Sequence, residues 1–146
     1  MTSLPINILL VDDEKDFAEM MSFRLEEKGH RVKLAFNGQQ ALDALAENQT
    51  DVIIMDIRMP GLDGIATLKE VKARHPIVEV ILLTGYGAVD TAVEGMKAGA
   101  FDYLVKPPDH EELLTKLEAA GKRKMEQEER IRKAEARVLI RRTGDI

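Results

Sequence analysis

The residues Asp51-Val52-Ile53-Ile54-Met55-Asp56 decide the fold of this chain. A short apolar run rich in β-branched residues is typical of a strand that is buried on both faces. The residues that follow include Pro60, Gly61 and Gly64, which favour a loop. The pattern therefore predicts a central strand that ends at the carboxylate of Asp56, the position where open α/β sheets bind their ligands.

Four further apolar runs predict strands, and patterns with helical spacing separate them. Strand and helix alternate five times along the chain, and a long helical pattern begins at Asp109. This alternation is typical of an α/β fold with a doubly wound, five-stranded parallel sheet and helices on both faces. The other four predicted strands are Ile6–Val11, Arg31–Phe36, Val78–Thr84 and Phe101–Val105.

Length and composition indicate a single globular domain. The chain has 146 residues, of which 45% are hydrophobic and 32% are charged. It has no Cys, which excludes disulfides and thiolate chemistry and is compatible with a cytoplasmic location. Its aliphatic runs are far shorter than the roughly 18 residues that span a bilayer, so we expect no membrane insertion.

Charge is distributed unevenly between the body of the chain and its end. Residues 1–120 contain 12 Lys and Arg against 21 Asp and Glu, a net charge of −9. Residues 121–146 contain 9 Lys and Arg against 5 Asp and Glu, a net charge of +4. The acidic body argues against nucleic acid as the partner of the domain itself, whereas the basic tail leaves that question open.

Polar residues follow the predicted strands at the point where each strand ends. The carboxyl ends of parallel strands meet at one edge of a sheet, so these side chains are expected to converge. Carboxylates that lie close together repel one another unless a cation compensates, and Mg²⁺ prefers oxygen ligands. An Asp after a strand is also an ordinary helix cap or turn former, so one of them alone does not decide between the two interpretations. The converging residues are Asp12, Asp13, Asp56, Thr84 and Lys106.

These residues, in this order, resemble the receiver domain of two-component response regulators. The resemblance covers roughly residues 6–120. It implies a flavodoxin-like sheet of strand order 2-1-3-4-5, whose order reverses between the strands that end at Asp12 and Asp56. The residues that carry it are Asp12-Asp13, Asp56 to Gly64, Thr84-Gly85, Tyr103 and Lys106-Pro107.

The resemblance assigns Asp56 as the residue that accepts a phosphoryl group from a sensor histidine kinase, a phosphotransfer protein or a small phosphodonor. It implies Mg²⁺ as the cofactor, held by Asp13, Asp56 and the main-chain carbonyl of Arg58. Asp12 is expected to bind the ion mainly through water. Arg58 and Tyr86 are expected to influence how fast the phosphoryl group is lost.

The resemblance assigns the remaining site residues as contacts of the phosphoryl group or as parts of a switch. Lys106 and Thr84 are expected to contact the phosphoryl oxygens. Tyr103 is expected to turn inward when Thr84 moves, and Lys106-Pro107 is expected to be a cis peptide. The fourth helix, fifth strand and fifth helix would then present a changed surface to a downstream protein target.

We interpret residues 1–120 as the receiver domain and residues 121–146 as a charged helical tail, not a separate domain. Residues 117, 124, 131 and 138 follow a seven-residue spacing, but Lys124 lies on that seam. A solvated helix, a homodimer and binding of another partner all stay open for the tail. Pairs at i, i+4 spacing favour a helix there: Glu126/Arg130, Glu128/Arg132 and Glu129/Lys133.

The chain is therefore expected to be a phosphoacceptor switch in a phosphorelay, not an enzyme. We expect a stand-alone receiver; the alternative is the N-terminal receiver of a longer transcription regulator. One rival is a metal-dependent phosphohydrolase with an aspartyl-phosphate intermediate. Another rival is a receiver-like binding module without phosphorylation. Asp51 and Asp63 are interpreted as a strand lead-in and a helix cap.

Overall fold

The computed structural model describes residues 4–58, 64–85 and 89–143. Within them, strands and helices alternate as the sequence predicts. Their bounds are β1 (Asn7–Val11), α1 (Lys15–Glu27), β2 (Arg31–Ala35), α2 (Gly38–Glu47), β3 (Val52–Asp56), α3 (Gly64–Arg74), β4 (Glu79–Thr84), α4 (Val89–Lys97), β5 (Asp102–Val105) and α5 (His110–Thr143).

The strands form one parallel sheet of order β2-β1-β3-β4-β5, which confirms the predicted fold. Strand β3 lies in the centre, and all of its residues are buried. Strand β2 lies at an edge and is half-exposed, in agreement with its alternating sequence. The order reverses between β1 and β3, so a crevice opens where these two strands end.

The two faces of the sheet carry separate hydrophobic cores. Helices α1 and α5 cover one face, where Leu25 and Leu117 pack against Ile54. Helices α2 and α3 cover the other face, where Leu45 and Leu68 pack with Ile53. None of the described helices is long and apolar enough to cross a membrane.

Strand β1 begins at Asn7, one residue later than predicted, and the backbone N–H of Ile6 bonds to a side chain. That N–H donates a hydrogen bond to Nδ1 of His30 at 3.1 Å. His30 is buried, and burial lowers its pKa, although the negative charge of Glu118 acts in the opposite direction. A neutral imidazole therefore forms part of the structure at the start of β1.

Helix α5 runs without a break from His110 to Thr143, so the sequence-predicted extension of the fifth helix is confirmed. Gly121 lies inside it, although glycine costs about 1 kcal/mol relative to Ala in a helix. A Cβ at Gly121 would lie 3.0 Å from Cδ1 of Ile6, so glycine allows the helix to approach the start of β1. From Arg130 to Arg142 the helix is exposed to solvent.

A buried ion pair fixes the extension of α5 to the edge of the sheet where the strands begin. Nζ of Lys124 lies 2.9 Å from Oδ1 of Asp51 and 2.7 Å from Oε2 of Glu128. The other oxygen of Asp51 accepts a hydrogen bond from the backbone N–H of Asn7 at 2.9 Å. Asp51 is therefore more than the lead-in residue that the sequence suggests.

A second carboxylate lies beside this pair. Glu79, at the start of β4, is buried and lies 3.3 Å from Nζ of Lys72 and 3.1 Å from Nε of Arg123. We call Asp51, Glu79, Lys72, Arg123 and Lys124 the floor cluster.

The ion pairs of the tail differ from the predicted i, i+4 set. Glu128 pairs with Lys124, and Glu129 pairs with Arg132. Lys124 is also not part of an exposed seam, because only 4% of it is accessible to solvent. Burial lowers the pKa of Lys124, but its hydrogen bonds to Glu128 and Asp51 outweigh burial and raise the pKa overall.

Candidate functional site

The edge of the sheet where the strands end carries the candidate site. Strand β1 is followed by Asp12 and Asp13, and β3 ends at Asp56. One carboxylate oxygen from each of these three residues lies within 4.8 Å of the others. Asp12 and Asp56 are buried, whereas Asp13 is exposed. We call Asp12, Asp13 and Asp56, together with Lys106, the rim cluster.

The donor set of the rim cluster fits a hard divalent cation. Three carboxylates at this separation repel one another, and a cation with oxygen ligands would relieve that repulsion. Mg²⁺ is bound by one or two carboxylates, waters and substrate oxygens. The exposed side chain of Asp13 leaves the cluster open to solvent, which a hydrated ion requires.

Asp56 is held in a defined orientation inside this cluster. Its Oδ1 accepts a hydrogen bond from the backbone N–H of Arg58 at 3.0 Å, and its Oδ2 lies 3.3 Å from Nζ of Lys106. Burial raises the pKa of Asp56, and the charge of Asp12 adds to this effect. The Arg58 N–H and the Lys106 ammonium act in the opposite direction.

Lys106 supplies positive charge to the cluster from the end of β5. Its Nζ lies 2.8 Å from Oδ2 of Asp12 and 2.7 Å from Oε1 of Glu14. Burial lowers the pKa of Lys106, but these hydrogen bonds outweigh burial and raise it. The ammonium also lies 4.4 Å from the centroid of the Phe17 ring, a cation–π distance. The peptide bond between Lys106 and Pro107 is cis, as the resemblance implies.

Thr84 and Tyr103 lie beside the cluster without joining it. The Thr84 side chain is buried, and its hydroxyl donates a hydrogen bond of 3.4 Å to the carbonyl of Leu104. Tyr103 precedes Leu104 in β5 and is 41% exposed. The structure therefore brings together Asp12, Asp13, Asp56 and Lys106, and it leaves Thr84 and Tyr103 on the neighbouring strands.

A family model for the response regulator receiver domain matches residues 8–118. The chain belongs to this family. The match ends before Gly121 and Lys124, so the part of α5 that reaches the floor cluster lies outside it.

Several response regulators resemble this receiver in sequence. The transcriptional regulatory protein ZraR of Escherichia coli K12 is 45% identical over 120 residues, which are 82% of this chain and 27% of ZraR. The DNA-binding transcriptional regulator NtrC of Escherichia coli K12 is 39% identical over 122 residues, 84% of this chain and 26% of NtrC. The receiver thus spans about a quarter of the length of these curated relatives.

Solved structures show the same fold. NtrX from Brucella abortus in complex with ADP aligns with a TM-score of 0.82 at 33% identity, covering 86% of this chain and 29% of NtrX. The receiver domain of the Francisella response regulator 1452 aligns with a TM-score of 0.75 at 36% identity, covering 81% of this chain and 98% of that domain.

Two residues of this receiver contact Lys106 but were not predicted from the sequence as site residues. Glu14 directly follows Asp12-Asp13, and this run of acids was the available signal. Phe17 has the spacing of an apolar helix face, which gives no hint of a contact with an ammonium. Residues 59–63 of the Asp56 loop and Tyr86 lie outside the described residues, as does the predicted cap Asp63.

Proposed function

We propose that this receiver is a phosphorylation-controlled switch in which Asp56 accepts the phosphoryl group. The observation that carries the proposal is the packing of Asp56 with Asp12, Asp13 and Lys106 at the end of the central strand. Phosphoryl transfer depends on positioning and on charge neutralisation more than on covalent help from other groups. The rim cluster offers both at a carboxylate that can act as a nucleophile.

In the proposed reaction a carboxylate oxygen of Asp56 attacks the phosphorus atom. A P–O bond forms while the bond to the donor breaks, and the donor's imidazole or carboxylate leaves with the electron pair. Lys106 then moves from the Asp56 carboxylate to a phosphoryl oxygen, and Thr84 donates a hydrogen bond to another. Mg²⁺ held by Asp13, Asp56 and the Arg58 carbonyl, with Asp12 binding through water, would neutralise the charge of the transferring group.

The proposed output is a change of the α4–β5–α5 surface. Val93 and Met96 of α4 and Tyr103 and Val105 of β5 are exposed apolar residues on these elements. The hydroxyl of Thr84 is bonded weakly, to Leu104, and is therefore free to turn towards a phosphoryl group. Such a turn would vacate space at the end of β4 that the ring of Tyr103 can enter.

The relatives support particular partners for this switch. A sensor histidine kinase or a phosphotransfer protein would supply the phosphoryl group, and a protein target would read the surface. ZraR and NtrC are transcription regulators of which the receiver is about a quarter, and this favours the N-terminal receiver of a longer regulator over the stand-alone alternative. We propose a cytoplasmic location and a receiver unit of residues 1–120 followed by a helical tail.

The test is incubation of the purified chain with Mg²⁺ and a small acyl phosphate, followed by intact mass measurement. We expect one phosphoryl adduct that disappears in Asp56→Asn and when EDTA replaces Mg²⁺. Asp51→Asn changes a buried carboxylate that immediately precedes the same strand; it is the matched control and should retain the adduct. No adduct, or one that survives in Asp56→Asn, would overturn the proposal, and turnover of an added phosphate ester would favour the phosphohydrolase.

A further inference from the structure

The ammonium of Lys106 has as many carboxylate partners as it has N–H donors. A lysine ammonium carries three such donors. Its Nζ donates to Oε1 of Glu14 at 2.7 Å, to Oδ2 of Asp12 at 2.8 Å and to Oδ2 of Asp56 at 3.3 Å. A phosphoryl oxygen can therefore bind this ammonium only if one of these three partners gives way.

The three partners differ in how much free energy their release costs. The Asp12 side chain is fully buried, so removing its cation would leave a buried charge unpaired. The contact with Asp56 changes in any case, because Asp56 is the residue that carries the phosphoryl group. The Glu14 side chain is 64% exposed, so water can replace the ammonium as its partner. Glu14 is thus the carboxylate that Lys106 can exchange at the lowest cost.

Glu14 occupies the N-cap position of α1, but its side chain does not cap the helix. It makes no capping hydrogen bond to the first turn of α1. Ser, Thr, Asp and Asn are preferred at this position because their short side chains reach the free N–H groups, and Glu is not among them. The side chain of Glu14 is instead committed to Lys106.

Asp12 joins the backbone of Glu14 to Lys106 through its two carboxylate oxygens. Its Oδ1 accepts a hydrogen bond from the backbone N–H of Glu14 at 2.8 Å, and its Oδ2 accepts one from Nζ of Lys106. The bond from Nζ to Oε1 of Glu14 closes the arrangement. The three residues therefore hold the ammonium at the side of the site where α1 begins.

Phe17 adds a second attraction from the same helix. Its ring lies 4.4 Å from Nζ of Lys106, measured to the ring centroid, which is a cation–π distance. The contact of Lys106 with Asp56 is the longest of its three carboxylate contacts. The attractions of Glu14 and Phe17 act together to draw the ammonium towards α1 and away from Asp56.

We propose that Glu14 is a positioning residue that competes with the phosphoryl group for the ammonium of Lys106. The proposal rests on the proposed function, because it requires a phosphoryl group on Asp56. When that group arrives, Lys106 leaves Glu14 and binds a phosphoryl oxygen, while the Glu14 carboxylate turns to water. Removing the Glu14 contact therefore favours the phosphorylated receiver.

Two substitutions of Glu14 separate this contact from the charge of the carboxylate. Glu14→Gln removes the charge. Glu14→Asp keeps the charge, but Asp is a preferred N-cap residue whose short side chain binds the first turn of α1 instead of the ammonium. Both variants should accept the phosphoryl group about two- to fivefold faster than the unmodified chain, the range expected for an exposed ion pair.

Asp16→Asn is the matched control for charge. Asp16 is an exposed carboxylate in the first turn of α1, so the substitution removes one negative charge close to Glu14. It should leave the rate unchanged. The rate is measured with saturating Mg²⁺ and a small acyl phosphate, as the growth of the phosphoryl adduct in the intact mass.

Binding of beryllofluoride, a phosphoryl analogue that binds reversibly, provides the second measurement. Its dissociation constant in the presence of Mg²⁺, obtained by calorimetry, should fall by a similar factor in both Glu14 variants. A purely structural role for Glu14 predicts no gain in either measurement.

Two results would overturn the proposal. One is an unchanged rate and affinity in both Glu14 variants. The other is a gain in Glu14→Gln that is absent from Glu14→Asp, which would assign the effect to charge alone. An unmodified chain that forms no adduct would instead overturn the proposed function itself, so the two failures are distinct.

Discussion

The two edges of the sheet both carry buried carboxylates, but they balance charge differently. At the rim cluster the carboxylates of Asp12, Asp13 and Asp56 converge beside the ammonium of Lys106. In the floor cluster two carboxylates meet the cations of Lys72, Arg123 and Lys124. The same residue types thus form a site with excess negative charge at one edge and, at the other, an ion-pair network in which every carboxylate has a cation.

This difference separates a site from a structural contact. The negative charge of a buried carboxylate that pairs with a side-chain cation is already balanced. Clustered carboxylates that have fewer cations beside them favour the binding of a metal cation. Asp51 and Asp56 show the contrast on a single strand, because Asp51 immediately precedes β3 and Asp56 is its last residue.

Lys124→Met removes the cation of Asp51 and leaves that carboxylate buried. Removing one partner of a buried ion pair lowers the free energy of unfolding by about 3–5 kcal/mol. We expect a loss near the lower end of this range in the free energy of unfolding, because the Asn7 N–H still binds Asp51. Urea denaturation measures the loss.

The double variant Asp51→Leu with Lys124→Met is the control for this test. Replacing a buried ion pair by apolar residues is often neutral or stabilising. The double variant should therefore recover most of the stability lost in Lys124→Met. A double variant as unstable as the single one would show that packing of the Lys124 chain, not its charge, holds α5 to the floor.

Asp13→Asn tests the opposite balance at the rim. Without metal, this change relieves carboxylate repulsion, so the variant should unfold at a slightly higher temperature than the unmodified chain. Mg²⁺ at 100 times its dissociation constant stabilises a folded protein by about 2.7 kcal/mol. The unmodified chain should show a gain of this order, and Asp13→Asn should lose most of it.

Thermal unfolding with and without Mg²⁺ measures both effects. Asp43→Asn, an exposed carboxylate on α2, is the control and should keep the full response to Mg²⁺. An equal response to Mg²⁺ in Asp13→Asn would remove Asp13 from the metal ligands.

The pH dependence of stability should differ in sign between the two edges. The folded-state pKa of His30 is lowered, so the unfolded chain takes up a proton near pH 6.5 before the folded chain does. The neutral imidazole of His30 therefore contributes stability that is fully present above this pH and is lost as the pH falls. The raised pKa of Asp56 acts in the opposite direction. It favours the metal-free folded state as the pH falls towards the pKa that Asp56 has in the unfolded chain.

Urea midpoints between pH 7.5 and pH 5.5 isolate the contribution of His30 when the unmodified chain is compared with His30→Gln. The variant should lose less stability on acidification, because Gln does not titrate. Parallel pH profiles of the two chains would show that protonation of His30 does not affect the free energy of unfolding.

Gly121→Ala should have the smallest effect. Ala gains about 1 kcal/mol in helix propensity over Gly. The added Cβ would meet Ile6 side-chain atoms at 3.0 and 3.2 Å, so crowding offsets the gain. We expect little net change in Gly121→Ala alone and a clear gain when the change is made in an Ile6→Ala background, measured by the urea midpoint.

Much of the fold follows from local sequence signals. The buried strands appear as apolar runs, and Asp12, Asp56, Thr84 and Lys106 are conspicuous because each follows or ends such a run. Parallel topology then brings their strand ends to one edge without further information. The strand order came from the family resemblance, since apolar runs do not specify which strands are neighbours.

The floor cluster was not predictable in the same way. Asp51 and Lys124 are separated by half of the chain, and each has an ordinary local interpretation, as a strand lead-in and as a charged helix residue. Their pairing depends on the position and angle of α5 relative to the sheet, and glycine at position 121 allows the close approach of α5 to Ile6. Local patterns carry no information about such an angle.

The length of α5 also determines how the molecule rotates in solution. A helix of 34 residues is about 51 Å long, whereas a compact domain of about 120 residues has a radius of gyration near 14 Å. Rotational diffusion is therefore anisotropic: rotation about axes perpendicular to α5 is slower than rotation about α5 itself. Amide N–H vectors in α5 point along the helix axis, so their nitrogen-15 relaxation should differ systematically from that of amides in the sheet.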